Sequence, residues 1–320
     1  MGSISTPRES SKLFSPLRLG EMNLEHRVIM SPMTRLRLIQ GGGYYNAPGM
    51  FAPEHLSMNT PGGCKVPKDT AKPTASQDIR DTIDDHVHAA KCAIEAGFDC
   101  VEIVASGNGY LLDQFLNSNV KLRTDACEGT KENRARFTLE VLDAVIAAIG
   151  ASRVSIRMSP WGTVWVPLDA DPIANYRYVL SEVEKRGVAY VCLTQPRADL
   201  LLEEKTKWEN MYTAIRLGKV AATVEDLHLK HFQEVLKTTP ILASGNYDGE
   251  NCFEEVERGE MDAITFGRWF ISNPDLVEKL RLGKRLTKWN PATVYASAVV
   301  VESEGYTDYP FGEVEDEEAE

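Results

Sequence analysis

The sequence predicts an α/β fold, specifically a TIM-type (β/α)8 barrel that is incomplete or irregular over its second and third strands. Three observations lead there. Six short apolar runs rich in β-branched residues recur along the chain, with amphipathic helical stretches between them, one unit every ~30–40 residues. The runs are continuously apolar, as parallel strands buried on both faces are. They end in small or polar residues, and in a parallel barrel the strand C-termini carry the ligand site. No G-x-G-x-x-G follows any run, which counts against a dinucleotide-binding sheet.

The runs are RVIMSPM (27–33), CVEIVAS (100–106), RVSIRMS (153–159), YVCLTQ (190–195), PILASG (240–245) and AITFGR (263–268). Between the first two, a helix spans 78–97, with Ile79, Ile83, Val87, Ala90 and Ile94 at steps of three and four and Gly97 at its end. The next helix, 132–150, repeats the plan through Phe137, Val141, Val145 and Ile149. A third opens with Asp171 as N-cap and Pro172 in the first turn, and Gly187 closes it. Weaker helices are expected at 224–237, 250–259 and 275–282. The stretch between Met33 and Asp78 is rich in Gly, Pro, Asn and Thr and holds no buried strand. Two strand–helix units would need about 60 residues there, and the stretch is shorter. A barrel lacking two strands has unpaired edges. A gene-model truncation, a decayed copy, or a variant closed by a second subunit or by segment 35–77 would each produce this pattern.

The expected organisation is a flexible 1–12, one domain over 13–311 and an acidic tail over 312–320. Six of the last eight residues are Asp or Glu, a composition that stays solvated. The net charge of −12 makes nucleic acid and anionic membrane poor partners for the surface as a whole. The six cysteines form no C-x-x-C and no metal-ligand spacing. They are expected to be reduced thiols in a cytoplasmic protein, with Cys92, Cys100 and Cys192 as small core residues. No apolar run approaches the length of a membrane span. His86 and His88 are expected to be surface or packing residues, and His228 and His231 lack a third ligand, so no metal is expected. Glu203, Glu204 and Lys205 are read as a charged loop facing the active-site mouth, there to select substrate or simply solvated, and Asp113 and Gln114 as surface or capping residues.

Several long stretches carry a family resemblance, in order along the chain. LFSPLRLGEMNLEHRVIMSPMTRLR, AIEAGFDCVEIVASGNGYLLDQFLN, RTDACEGTKENRARFTLEVLDAVIAAIG with RVSIRMSP, ILASGNYDGENCFEEVERGEMDAITFGRWFISNPDLVEKLRLG and EGYTDYPF together resemble the old yellow enzyme family of FMN-dependent ene-reductases. The resemblance implies FMN as cofactor and NAD(P)H as reductant. The reaction it implies is reduction of the activated C=C bond of an α,β-unsaturated carbonyl compound, a small-molecule enone or enal, with specialised metabolism as the expected setting. A monomer or homodimer is expected.

Roles follow by position. Pro32, Met33 and Thr34 match the loop along the flavin ring. Arg157 matches the cation beside the ring edge where negative charge develops on reduction. Gly245, Asn246, Gly267 and Arg268 match the phosphate cradle, where backbone N–H groups and an Arg suit a dianion. Tyr110 matches the proton donor, and a phenol of ordinary pKa about 10 is protonated at neutral pH. The family's tip clamps the substrate carbonyl with a pair of side chains, the first His or Asn. Here Asn108 remains, and at the first position only Ser106 offers a donor. Loss of one preorganised donor typically costs about 10²–10³ in rate. The resemblance has no match for the family's second and third strands, which contact the flavin's pyrimidine side. The competing reading is an inactive or flavin-independent, isomerase-like barrel.

Overall fold

A computed structural model describes residues 8–33, 76–107, 109–120, 126–127, 129–163, 166–198, 202–294, 304–305 and 307–312. A hairpin comes first, β1 (Leu17–Leu19) antiparallel to β2 (Met22–Leu24). Gly20 turns it with φ +56°, and a Cβ there would sit 2.0 Å from the Ser152 carbonyl oxygen. Leu19 packs on Cys192, Leu242 and Ala263. The hairpin therefore plugs the end of the sheet from which the strands start.

The sheet has six parallel strands: β3 (Val28–Met30), β4 (Val101–Val104), β5 (Val154–Met158), β6 (Tyr190–Thr194), β7 (Ile241–Ser244) and β8 (Ala263–Phe266). Their order is β3-β8-β7-β6-β5-β4. Each apolar run of the sequence is thus a strand. Consecutive strands from β4 to β8 are neighbours, and β8 pairs back with β3, Ile29 opposite Thr265. That order is six-eighths of a closed barrel. Among the described residues no strand joins β3 to β4, so both are sheet edges. Met30 and Val104 are exposed there. Segment 34–75, which joins β3 to α1 in the chain, lies outside the described residues.

Helices cover the outer face. α1 (Ser76–Glu95) buries Ile79 and Ala90, and α2 (Leu111–Leu116) is buried throughout. In α3 (Lys131–Ile149), Thr130 caps the start by accepting from the Asn133 N–H, and Phe137 meets Phe115 of α2 at 4.6 Å. In α4 (Pro172–Glu184), Asp171 accepts from the Ala174 N–H, as its N-cap pattern predicts. The chain continues through α5 (Glu204–Arg216), α6 (Lys230–Gln233), α7 (Glu254–Glu257), α8 (Arg268–Ser272), α9 (Leu276–Leu282) and α10 (Pro291–Val294).

Three sequence expectations are corrected. The charged loop at Glu203–Lys205 is the start of the 13-residue α5. Only Lys207 and Met211 of that helix are buried, so no apolar stripe announces it. Cys92 is exposed rather than in the core, with His88 Nε2 at 3.6 Å from its sulfur, whereas Cys192 is fully buried as expected. Asp113 and Gln114 are buried, not at the surface. The five cysteines among the described residues are free thiols. No helix among the described residues is long and apolar enough to cross a membrane.

Glu184, at the end of α4, ties that helix to the turn before β7. Its carboxylate accepts from the N–H groups of Lys237 (3.0 Å), Thr238 (2.8 Å) and Thr239 (3.2 Å) and from the Thr238 hydroxyl (2.8 Å). Burial raises its pKa, but these hydrogen bonds outweigh burial and hold it at about 2. The folded value lies below the ordinary one, so this stability is present above pH about 4.5 and is lost as pH falls towards 2. Glu184→Ala is expected to cost roughly 1–2 kcal/mol at pH 7, since the group is largely solvated. In urea titrations the gap from the parent protein should close below pH about 4. A gap independent of pH would exclude the ionised carboxylate as its source.

Candidate functional site

The strand C-termini surround a cavity of about 560 Å³. Its walls are the residues that follow β3 (Ser31–Met33), β4 (Gly107, Tyr110), β5 (Ser159, Gly162), β6 (Gln195, Ala198), β7 (Gly245–Asp248) and β8 (Gly267–Trp269). One site collects six strand ends, as parallel α/β architecture dictates.

At one end, β7 and β8 each finish in a glycine turn. Gly245 has φ +109°, and a Cβ there would lie 2.5 Å from Ala198 Cβ. Asn246 follows at φ 52°, the one positive-φ non-glycine among the described residues, a conformation that Asn tolerates better than most. Its Oδ1 accepts from Arg268 Nη2 at 2.9 Å. The Arg268 guanidinium lies over the Trp289 ring, 4.7 Å from its centre, and Trp269 meets Trp289 edge-on. Gly267 lets Met33 approach: a Cβ there would sit 2.7 Å from the Met33 sulfur. Pro32 and Met33 line the cavity beside it. Thr34 lies outside the described residues.

Arg157 occupies the middle of the wall. It is 7% exposed, and its Nε donates to Glu102 Oε1 at 2.6 Å. Glu102 is level with Ser155 on the neighbouring strand, so it reaches Arg157 along the same face of the sheet. Burial pushes the adjacent Cys192 thiol up to about 12, so it stays neutral and Glu102 is the counter-charge.

At the opposite end, Tyr110 starts α2. The two residues read from the sequence as surface or capping groups grip the residue before it. Asp113 Oδ2 accepts from the Gly109 N–H at 2.8 Å, and Gln114 Nε2 donates to the Gly109 carbonyl at 2.8 Å. Ser106 points elsewhere. It is 1% exposed, its Oγ accepts from the Ser159 N–H at 3.0 Å, and it hydrogen-bonds with the buried Tyr176. The substrate-facing role expected of Ser106 does not fit this geometry, because its hydroxyl ties β4 to β5 and α4. Asn108 lies outside the described residues.

Several wall residues escaped the sequence reading. Gln195 ends a strand run and carries the polar-tip signal that identified others. Lys207 comes from the unannounced α5, and Trp269 and Trp289 have no local signal, whereas Glu204, read as part of a charged loop at the mouth, does line the cavity, from the first residue of that helix. His228 and His231 stack at 4.4 Å away from the cavity wall, with His231 Nε2 3.1 Å from Asp226. Among the described residues no group of three or more His, Cys, Asp or Glu could hold a metal ion.

Comparison with known proteins adds to this. The family model described as "NADH:flavin oxidoreductase / NADH oxidase family" matches residues 55–287. Flavin oxidoreductase hxnT of Emericella nidulans is 33% identical, covering 98% of this chain and 100% of the relative. That alignment is 401 positions long and takes in 98% of the 320 residues here, so the relative has residues at about 90 positions where this chain has none. Two strand–helix units account for a difference of that size. The 12-oxophytodienoate reductase 2 of Arabidopsis thaliana is 30% identical over 95% of this chain and 96% of the relative. Among solved structures, morphinone reductase matches with a TM-score of 0.73 and 28% identity, covering 97% of this chain and 98% of that one.

Proposed function

The chain belongs to the NADH:flavin oxidoreductase / NADH oxidase family, the old yellow enzymes, and from that premise we propose that it reduces the activated C=C bond of an α,β-unsaturated carbonyl compound. It is an NAD(P)H-dependent flavin oxidoreductase with FMN as cofactor. One observation carries the finer reading. Arg157, the two glycine turns with Arg268, and Tyr110 all line a single cavity at the strand ends.

The residues present fit the cofactor. A cavity of about 560 Å³ is of cofactor size. The Gly245 and Gly267 turns leave no room for a Cβ and bring backbone close to whatever sits between them, and Arg268 supplies a fixed cation for a phosphate. Pro32 and Met33 would flank the ring, with Thr34 beside them in the sequence, and Arg157 would place positive charge at its edge.

Bound FMN supplies a two-electron redox centre between NAD(P)H and substrate. The chain's own part is positioning, charge and a proton. Tyr110 Oη delivers one proton to the carbon next to the carbonyl. Tyr110 is 39% exposed, so it recovers that proton from solvent. Asn108 is the proposed partner of the substrate carbonyl, alone now that Ser106 is committed to the frame, and the expected turnover is slow. Relatives named as reductases of 12-oxophytodienoate and of morphinone, both names of carbonyl compounds, support the substrate class. A role in specialised metabolism rests on family analogy alone. Family membership and the shared cavity favour this reading over the flavin-free alternative, which rests on the lack of a match for the family's second and third strands.

The test is the visible spectrum of the purified protein, recorded again after loading with FMN and removing the excess. Flavin bands should stay with the protein and bleach on adding NAD(P)H. A colourless protein that cannot be loaded would overturn the assignment of the cavity to FMN.

A further inference from the structure

Behind the phosphate end of the cavity, between the lining residues Gln195 and Ala198, stands a second arginine that the family resemblance does not single out. Arg197 follows β6 and holds the β7 turn from two sides. Its Nε donates to the Gly245 carbonyl at 3.1 Å, and its own carbonyl accepts from Asn246 Nδ2 at 3.2 Å. Its guanidinium lies over the Tyr247 ring, 4.6 Å from the centre. That ring is held in turn. The Tyr247 hydroxyl donates to Glu255, and Gln195 Nε2 donates to Tyr247 Oη at 2.8 Å and to Glu255 at 3.0 Å. Arg197 Nη2 is buried and has no hydrogen-bond partner among the described residues.

The turn held this way is the one whose backbone is hardest to keep. Gly245 and Asn246 are consecutive positive-φ residues, at 109° and 52°. The second carries a Cβ and so pays for that conformation. Asn251 Nδ2 supports it by donating to the Asn246 carbonyl at 3.0 Å. The Asn246 side chain is held at both ends: its amide nitrogen donates to the Arg197 backbone carbonyl and, at 3.4 Å, to Glu204 Oε2, and its oxygen accepts from Arg268.

We propose that Arg197 is a positioning residue for cofactor binding: its guanidinium holds the Gly245 carbonyl and with it the turn that places Asn246, whose side-chain oxygen aims the Arg268 guanidinium at the cofactor phosphate. This rests on the assignment of the Gly245–Arg268 end to the phosphate. Lys cannot replace Arg here, because only a planar guanidinium both stacks on Tyr247 and donates through Nε. Charge alone is therefore not what the position supplies.

The experiment compares binding of FMN and of riboflavin, which lacks the phosphate, by fluorescence quenching in the purified full chain. Five proteins are used: parent, Arg197→Lys, Asn246→Gly, the double variant of Arg197→Lys with Asn246→Gly, and Arg268→Ala. Arg268→Ala should lower the FMN-to-riboflavin affinity ratio by about 10- to 100-fold. Arg197→Lys should lower it in the same direction by at least about 5-fold with riboflavin affinity unchanged. Asn246→Gly keeps the turn's backbone accessible and should do likewise, with Arg197→Lys adding nothing further in that background. If Arg268→Ala lowers the ratio and Arg197→Lys leaves it at the parent value, the positioning role is overturned and the phosphate assignment stands. If Arg268→Ala leaves the ratio unchanged, the phosphate assignment falls and the positioning role with it.

Discussion

Tyr110→Phe should slow alkene reduction by about 10²–10⁴ while leaving reduction of the bound flavin by NAD(P)H at the parent rate. The ring of Phe fills the same place at the start of α2, and Gly109 keeps its two clamping bonds from Asp113 and Gln114. Only the hydroxyl is lost. NAD(P)H oxidation needs no proton from that group, whereas saturation of the C=C bond does. Stopped-flow absorbance separates the two half-reactions: bleaching of the flavin band with NAD(P)H, then its return with an enone. An equal fall in both would mean that the tyrosine acts on the flavin or on the fold, and the proton-donor role would be wrong.

The second large effect is expected from a residue that is not in the cavity wall. Glu102→Ala should destabilise the protein by about 3–5 kcal/mol, because it strands the buried Arg157 guanidinium without its carboxylate. Both side chains are nearly enclosed, at 9% exposure for Arg157 and 15% for Glu102. Neutral Cys192 cannot take over as counter-charge. The paired replacement Glu102→Leu with Arg157→Met should recover most of that loss, since no charge is then left buried. It should also weaken flavin binding, because the cavity has lost its central cation. Urea unfolding of the two variants, followed by flavin titration of the double one, reads both effects. A single variant within about 1 kcal/mol of the parent would mean that water or another carboxylate reaches Arg157, and the pair would not be the buried unit described.

These two predictions differ in how visible their residues are in the sequence. Tyr110 stands in a continuous motif, VEIVASGNGYLLDQFLN, whose strand, turn and helix follow one another directly. Glu102 is in the same motif but gives no local sign of its partner. It meets Arg157, 55 residues away, only because β4 and β5 lie side by side with Val104 opposite Arg157. Ser106 shows the reverse case. Its place in the motif pointed to the substrate, yet Ser159 and Tyr176, both brought in by other strands and helices, claim its hydroxyl.

The sequence alone determined the six strands, the three amphipathic helices around them and the glycine turns. Each of these depends on a periodicity or on a backbone requirement expressed within a few neighbouring residues. It did not determine α5, whose two buried residues make too thin a stripe to detect. Nor did it determine the grip of Arg197 on Gly245, the pairing of Glu102 with Arg157, or the arrival of Trp289 beside Arg268. Those contacts join strand ends and helices far apart in the chain. The order of the sheet sets them, and that order is decided by which buried surfaces pack together, not by local residue patterns.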